Sequence, residues 1–400
     1  MNSHPLVLLA LALVSPSAAA RGAPCVPPHV HDEPRPALAP GGTMAPGGTL
    51  ASREPTTTRR QGAVRWFEGT WDELLAEAER TRRVVFVEFW TPWCQYCKRL
   101  ERETLRDDVV VGELDKLLAY SVNAEDRRNA KLVERFRPRG YPTLVFLEPT
   151  GELRDKIVDF LPPAEFLAEL RRIRRNEKTL SDLNARLAKN PRDLDAHYAL
   201  ALKLKSFGDT RAYRDRIAMI RRLDPDARSY PGRRIRFDEL RKRADATLRG
   251  DELYAFLEEE SDAGILFEGW YAAGKLEGYL AKIASGEKRS EHERRSFRAA
   301  RRLWDHLPRD HEHFAALANN IAYAHFEGRE LLEEDDLEWA LGVAEEAVLA
   351  APREAYIVDT LACCLFAVGR VSEAVDEVRR CIELEPANPA WKERLRSFLE

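Results

Sequence analysis

The 400-residue chain has almost no excess charge of either sign, since 63 lysines and arginines face 67 aspartates and glutamates. A balance this close carries no electrostatic signal for nucleic acid. The basic runs Arg171-Arg172-Ile173-Arg174-Arg175 and Arg233-Arg234-Ile235-Arg236 read as solvated helix faces, balanced by acidic runs such as Glu258-Glu259-Glu260. The apolar run at 5–14 is too short to span a bilayer, so no transmembrane segment is expected in the mature chain. Metal ligands at a usable spacing are missing as well. Cys94 and Cys97 lie nearly one helical turn apart, but no further pair of ligands accompanies them as a zinc site requires. No cofactor is expected.

What the N-terminal part does contain is the pattern of a leader. Small residues, Ser15-Pro16-Ser17-Ala18-Ala19-Ala20, follow the apolar run, as in a secretory signal peptide (1–20) cleaved near Ala20. The mature chain is then expected outside the cytosol, in the bacterial periplasm or cell envelope. Pro24 directly before Cys25 argues against lipid attachment at that cysteine. Residues 21–62 are rich in Pro, Gly, Ala and Thr, with Ala-Pro-Gly-Gly-Thr at 39–43 repeated at 45–49. Such a stretch cannot bury enough apolar area to offset its ordering entropy, so a disordered tether is expected. His29-Val30-His31-Asp32 within it reads as polar tail rather than metal site.

The most informative stretch is 84–98. Its β-branched and aromatic residues up to Trp90 read as a buried strand, Thr91-Pro92 breaks it, and a helix opens with Cys94 and Cys97. At a helix N-terminus, free N–H groups and the positive dipole end stabilise a thiolate. Cys94 is therefore the expected exposed nucleophile and Cys97 the buried resolving thiol, close enough to form a disulfide with it. Glu88 interrupts the apolar strand and should lie buried behind the cysteines. Burial raises a carboxyl pKa and would suit Glu88 as acid/base for Cys97.

Downstream, Arg139-Gly140-Tyr141-Pro142-Thr143 precedes another strand. The strand ending Glu-Phe-Trp, the Trp-Cys-x-x-Cys-Lys run and the Gly-Tyr-Pro-Thr turn, in that order, resemble the thioredoxin family. The resemblance implies that Pro142 is cis and faces the cysteines, and that Trp93, Tyr141 and Pro142 bind an extended substrate. Many thioredoxins have an aspartate where Glu88 stands. The chain departs from the family at Ser121, where a lysine commonly pairs with that acid, and at Gln95-Tyr96 between the cysteines. A tyrosine there resembles secreted proteins of the thiol:disulfide interchange type.

Around this motif the pattern predicts a domain over 63–176. Helices are expected at 71–80 and 129–136, with Leu100 and Leu105 on an inward face. Strands are expected at 117–123 and, as a hairpin, at 143–147 and 153–158, before a closing helix at 163–175. From 177 to 400 only helices are predicted. Ala340, Ala344, Ala347 and Pro352 recur as Ala374, Val378, Cys381 and Pro386, each 34 positions on. That is the tetratricopeptide (TPR) period, with small residues where antiparallel helices meet. Leu200, Ala201, Leu204, Gly208 and Pro225 fit a looser copy, and 388–400 resembles the closing helix such arrays need. Adjacent Cys363 and Cys364, with Cys381, suit tight packing positions. His306, His311 and His313 cluster near a turn without a diagnostic metal spacing.

The expected architecture is thus an α/β thioredoxin-like domain followed by an all-α TPR-like helical solenoid. The expected activity is that of an exported thiol–disulfide oxidoreductase. Its partners would be protein disulfide or dithiol substrates, a redox-recycling protein, and a protein or peptide docked on the repeats. The alternative is a TPR scaffold or adaptor of the cell envelope with a redox-sensitive docking module. Gly and Pro are absent from 164–190, so the junction should be rigid, with a shared apolar contact drawn from Leu167, Leu170 and Leu180.

Overall fold

The computed structural model describes residues 64–400. The expected leader and tether, with Cys25 and the His29–Asp32 group, lie outside the described residues. Among these, two compact units divide between Ile235 and Arg236.

In the first unit, four strands form one mixed sheet in the order β2-β1-β3-β4. They are β1 (Val85–Trp90), β2 (Leu118–Asn123), β3 (Thr143–Leu147) and β4 (Leu153–Val158). β1 runs parallel to β2 and antiparallel to β3. Its apolar run has a cause: helices cover both sheet faces, so both alternating sets of side chains are buried. Phe86, Leu144 and Phe146 meet Leu100, Phe166 and Leu170 on one face. Val85, Val87 and Phe89 meet Leu74, Ala78 and Phe136 on the other. These helical residues come from α1 (Trp71–Thr81), α4 (Ala130–Phe136), α5 (Pro163–Arg174) and the segment after α2 (Gln95–Arg99). Thr70 and Glu73 open α1 with reciprocal bonds: Thr70 N donates to Glu73 Oε2 at 2.7 Å and Glu73 N to Thr70 Oγ1 at 3.3 Å.

Two local features differ from the sequence expectation. A π-helical turn, Leu100–Thr104, continues α2, and Thr104 Oγ1 anchors it to Leu161 O at 2.7 Å. A further helix, α3 (Asp108–Leu114), follows it. Its β-branched run Val109-Val110-Val111 has weak helix propensity. Asp107 caps it by accepting from Val109 N and Val110 N, both at 3.0 Å, and burial of Val110 and Leu114 supplies the rest.

The same unit continues into helices α6 (Leu180–Lys189), α7 (Leu194–Ser206), α8 (Thr210–Leu223) and the start of α9 (Tyr230–Thr247). Leu180 and Leu183 pack with Leu153 of β4. Leu180 therefore joins an apolar contact with the sheet domain, while Leu170 and Leu167 serve the core beneath α5 instead. Beside this contact Asp155 of β4 is fully buried. Its carboxylate accepts from Arg172 of α5 and Lys203 of α7, each at 2.8 Å. Burial pushes the Lys203 pKa down, and the Asp155 charge works against that shift.

The second unit is a run of helices: α10 (Asp251–Glu259), α11 (Ala263–Ile283), α12 (Glu287–His306), α13 (Phe314–Glu327), α14 (Glu334–Ala350), α15 (Ala355–Ala367), α16 (Val371–Leu384) and α17 (Pro389–Leu399). The 34-residue period is visible as packing. Ala340, Ala344 and Ala347 of α14 and Ala374, Val378 and Cys381 of α16 are all buried, as close helix approach requires. Trp391 and Phe398 of α17 close the array, with the Phe398 ring stacked on Phe366 at 4.3 Å.

Buried titratable groups make stability depend on pH in one unit and on a single carboxylate in the other. His325 is buried against Phe297 and Trp339, and its Nδ1–H donates to Ile321 O at 2.8 Å. Burial lowers its pKa from 6.5 to about 4. The folded state thus keeps the ring neutral where the unfolded chain protonates it. This contribution is fully present above pH 6.5 and lost as pH falls toward 4, by about 3 kcal/mol in all. Denaturant titrations of the full chain across that window should show the loss, and His325→Phe should flatten it. Separately, Asp155→Ala strands two cations and should cost about 3 kcal/mol, read as a lower denaturant midpoint.

Candidate functional site

Past the end of β1, the turn at Thr91-Pro92 brings Cys94 to the N-cap of α2, with extended backbone at φ −68° and ψ 107°. Cys94 N donates to Thr91 O at 3.2 Å, and Cys97 N donates to Cys94 Sγ at 2.9 Å. Cys94 and Cys97 are joined in a disulfide, Cα to Cα 5.3 Å. The helix N-terminus therefore directs an N–H at the sulfur that would carry negative charge once the bond is reduced. Cys94 was expected to be the exposed partner. In the bonded pair it is 4% exposed and Cys97 1%, so the two hardly differ.

Trp93, immediately before the pair, is 63% exposed, and Tyr96 is exposed beside it. The Trp93 indole donates to Glu125 Oε1 at 2.7 Å, and its ring meets Tyr141 edge-on at 6.0 Å. Tyr141–Pro142 is a cis peptide bond, as the resemblance implied. Pro142 is buried and its carbonyl accepts from Asp159 N at 3.1 Å. Thr143 Oγ1 donates to Gly140 O at 2.7 Å, closing the turn. Burial raises the Tyr141 phenol pKa, and the nearby Glu125 charge raises it further. The aromatic pair thus brings the Cys-x-x-Cys turn and the cis-proline loop to one exposed lip. Glu125 was not anticipated. It lies just past β2, and only its position two residues after Asn123 could have pointed to it.

Glu88 is fully buried on β1, opposite Ser121 of β2 and Leu144 of β3. By strand alternation it shares a sheet face with Phe86, the face covered by Leu100. Cys97 stands three residues before Leu100, on the same side of that helical segment. Ser121, at the departure from the thioredoxin pattern, has its hydroxyl engaged by the Trp90 indole at 2.9 Å.

The remaining cysteines lie apart from this site by environment. Cys363, Cys364 and Cys381 are buried thiols that form no disulfide among the described residues, and burial pushes the Cys364 thiol up to about 12. The rings of His311 and His313 lie 5.8 Å apart. Among the described residues, no group of three or more His, Cys, Asp or Glu is placed to hold a metal ion.

Residues 71–174 match the family model of the thioredoxin-like domain. The thiol:disulfide interchange protein DsbD of Ralstonia nicotianae is 35% identical over 104 residues, 25% of this chain and 17% of that protein. The chain therefore spans less than a fifth of that relative's length. A thioredoxin from Thermus thermophilus, solved in solution, is 32% identical, with 28% of this chain and 87% of that one covered at a TM-score of 0.26. A thermophilic TPR protein, also of Thermus thermophilus, is similar at 15% identity over 59% of this chain and 95% of its own, with a TM-score of 0.27. With its cysteine pair and cis-proline turn in place, the segment 71–174 is a thioredoxin-like domain, joined in this chain to a run of helical hairpins.

Proposed function

We propose that this chain is a thiol–disulfide oxidoreductase acting on protein substrates. The observation that carries the reading is the Cys94–Cys97 disulfide at the start of α2, directly after Trp93, whose ring meets Tyr141 of the cis Tyr141–Pro142 loop. In the reducing direction, the Cys94 thiolate attacks a substrate disulfide. One substrate sulfur leaves as a thiolate and takes a proton, and a mixed disulfide forms. Cys97 then attacks Cys94 Sγ and releases the second substrate sulfur. Two electrons pass to the substrate, and the chain is left with the Cys94–Cys97 bond. A dithiol protein recycles it, and oxidation of substrates is the same sequence reversed.

Glu88 takes the Cys97 proton as that sulfur attacks. Its complete burial on the sheet face beneath α2 supports this role. Trp93, Tyr141 and Pro142 hold the substrate, Tyr141 through backbone groups to an extended segment and Pro142 by the cis bond that presents them, its own carbonyl being taken by Asp159 N. The apolar and small-residue pattern of 5–20 supports export to the periplasm or envelope. No helix among the described residues is long and apolar enough to cross a membrane. The helical hairpins recruit a protein or peptide partner, the use that stacked repeats make of their extended surfaces.

The purified chain should reduce insulin disulfides with dithiothreitol as electron source, and Cys94→Ser should fall to the uncatalysed rate. Equal activity of the two would sink the enzyme reading. Glu88→Gln should slow resolution by about 100-fold while attack is little changed. The mixed disulfide should then accumulate in acid-quenched reactions. Slowed attack with normal resolution would remove Glu88 from the mechanism.

A further inference from the structure

Helices α10, α11 and α12 of the second unit enclose an open cleft of about 620 Å³. Trp270, Ala273 and Ala299 give it a buried apolar floor, and the two alanines leave room that larger side chains would fill. Glu277, also in its lining, is 2% exposed. The Tyr254 hydroxyl donates to Glu277 Oε1 at 2.6 Å, and His292 Nδ1–H donates to Oε2 at 2.6 Å. Gly250 leaves space for this arrangement, because a Cβ there would collide with the Tyr254 ring. Toward the other end of α10, Glu258 accepts from Arg302 of α12 at 2.9 Å. Both oxygens of the deep carboxylate are thus engaged and Glu258 is paired, so neither is left to receive a cation.

One lining charge differs. Arg298 of α12 opens onto the cleft and makes no hydrogen bond or ion pair with another described residue. Its neighbours three and four positions to either side on the helix are Arg294, Arg295, Arg301 and Arg302. Like charges at that spacing destabilise a helix. Three of these neighbours find carboxylates, Arg295 on Glu291 at 2.6 Å, Arg301 on Asp336 at 2.5 Å and Arg302 on Glu258. The acids left in the lining do not serve Arg298. Asp305 lies seven positions on, about 10 Å along the helix. Asp251 stands in the first turn of α10, where the helix N-terminus already favours its charge.

We propose that this cleft binds a small organic acid, with Arg298 taking the carboxylate and Trp270, Ala273 and Ala299 taking the apolar body. An apolar floor with a few placed polar groups, in a volume of this size, is what small-molecule sites are made of. A guanidinium offers a planar fork that matches a carboxylate with two parallel hydrogen bonds. A bound acid also supplies the counter-charge that the helix itself withholds from Arg298.

The probe is 4-(4-fluorophenyl)butyrate, whose fluorine resonance broadens when it binds a protein, with 4-(4-fluorophenyl)butan-1-ol as its uncharged counterpart. Titrated into the full chain, the acid should bind with a Kd on the order of 1 mM, ordinary for a ligand of that size. The alcohol should bind about tenfold more weakly, since it forgoes the charged hydrogen bonds. Arg298→Gln should weaken the acid about tenfold and leave the alcohol unchanged. Arg298→Lys, which keeps the charge without the fork, should retain part of the difference. Arg294→Gln removes a charge of the same stripe outside the cleft lining and should leave the acid within about twofold. Ala273→Leu, which fills the floor, should weaken acid and alcohol alike, and the Arg298 variants decide the matter should that protein fail to fold. No broadening of the acid, binding unchanged in Arg298→Gln, or equal losses in Arg294→Gln and Arg298→Gln overturns the proposal.

Discussion

β1 pairs with β2 along one edge and β3 along the other, and it buries side chains on both faces of the sheet. A strand held on four sides cannot slide. A shift of one residue would turn Phe86 and Glu88 to the opposite face and drive Val85 and Val87 into the wrong core. That constraint fixes where Trp90 ends, hence where Thr91-Pro92 turns and where Cys94 meets the first N–H groups of α2. The same pairing sets β3, whose first residue follows the cis proline directly. The two halves of the site come from segments far apart in sequence, and their neighbouring strands bring them together.

Much of this was legible in the sequence because the signals are local. Apolar runs, and a hairpin pattern at 143–158, marked the strands to within a residue, and the Cys-x-x-Cys and Gly-Tyr-Pro-Thr segments marked the site. The cis bond came only from the family resemblance, since nothing in local composition distinguishes a cis from a trans proline. What was missed depends on tertiary contact. Propensity argues against α3, which forms because Val110 and Leu114 find a core to enter. The π-helical turn after α2 and the near-equal burial of Cys94 and Cys97 have no sequence signature. Neither has the bond from Trp93 to Glu125, because its two residues belong to different loops.

The helical part divides in the same way. The 34-residue period could be read at 340–386 because close helix approach tolerates only small side chains, and these recur in register. From 233 to 308 no such repeat exists, and the two longest helices of the second unit, α11 and α12, lie there. The contact of the first hairpin with the sheet was half foreseen. Leu180 takes part in it, but its partner is Leu153 of β4. Asp155 reaches Lys203 through folding alone, and a charged residue in a short hairpin strand looks like any solvated position until its partners are known.

Burial of Cys363, Cys364 and Cys381 bears on how this chain keeps its own disulfide chemistry in order. Exchange requires a thiolate with access to a disulfide. Burial inside the helical array denies all three sulfurs that access, and it also holds Cys364 near pKa 12, away from the anion. Packing thus works as electrical insulation around a redox centre, keeping three sulfurs out of a circuit meant for two. The insulation lasts only as long as the array is folded. Once the helices open, the same sulfurs become accessible and can attack Cys94–Cys97 or a neighbouring chain. Damage to the repeats would then be recorded covalently, as scrambled and cross-linked disulfides.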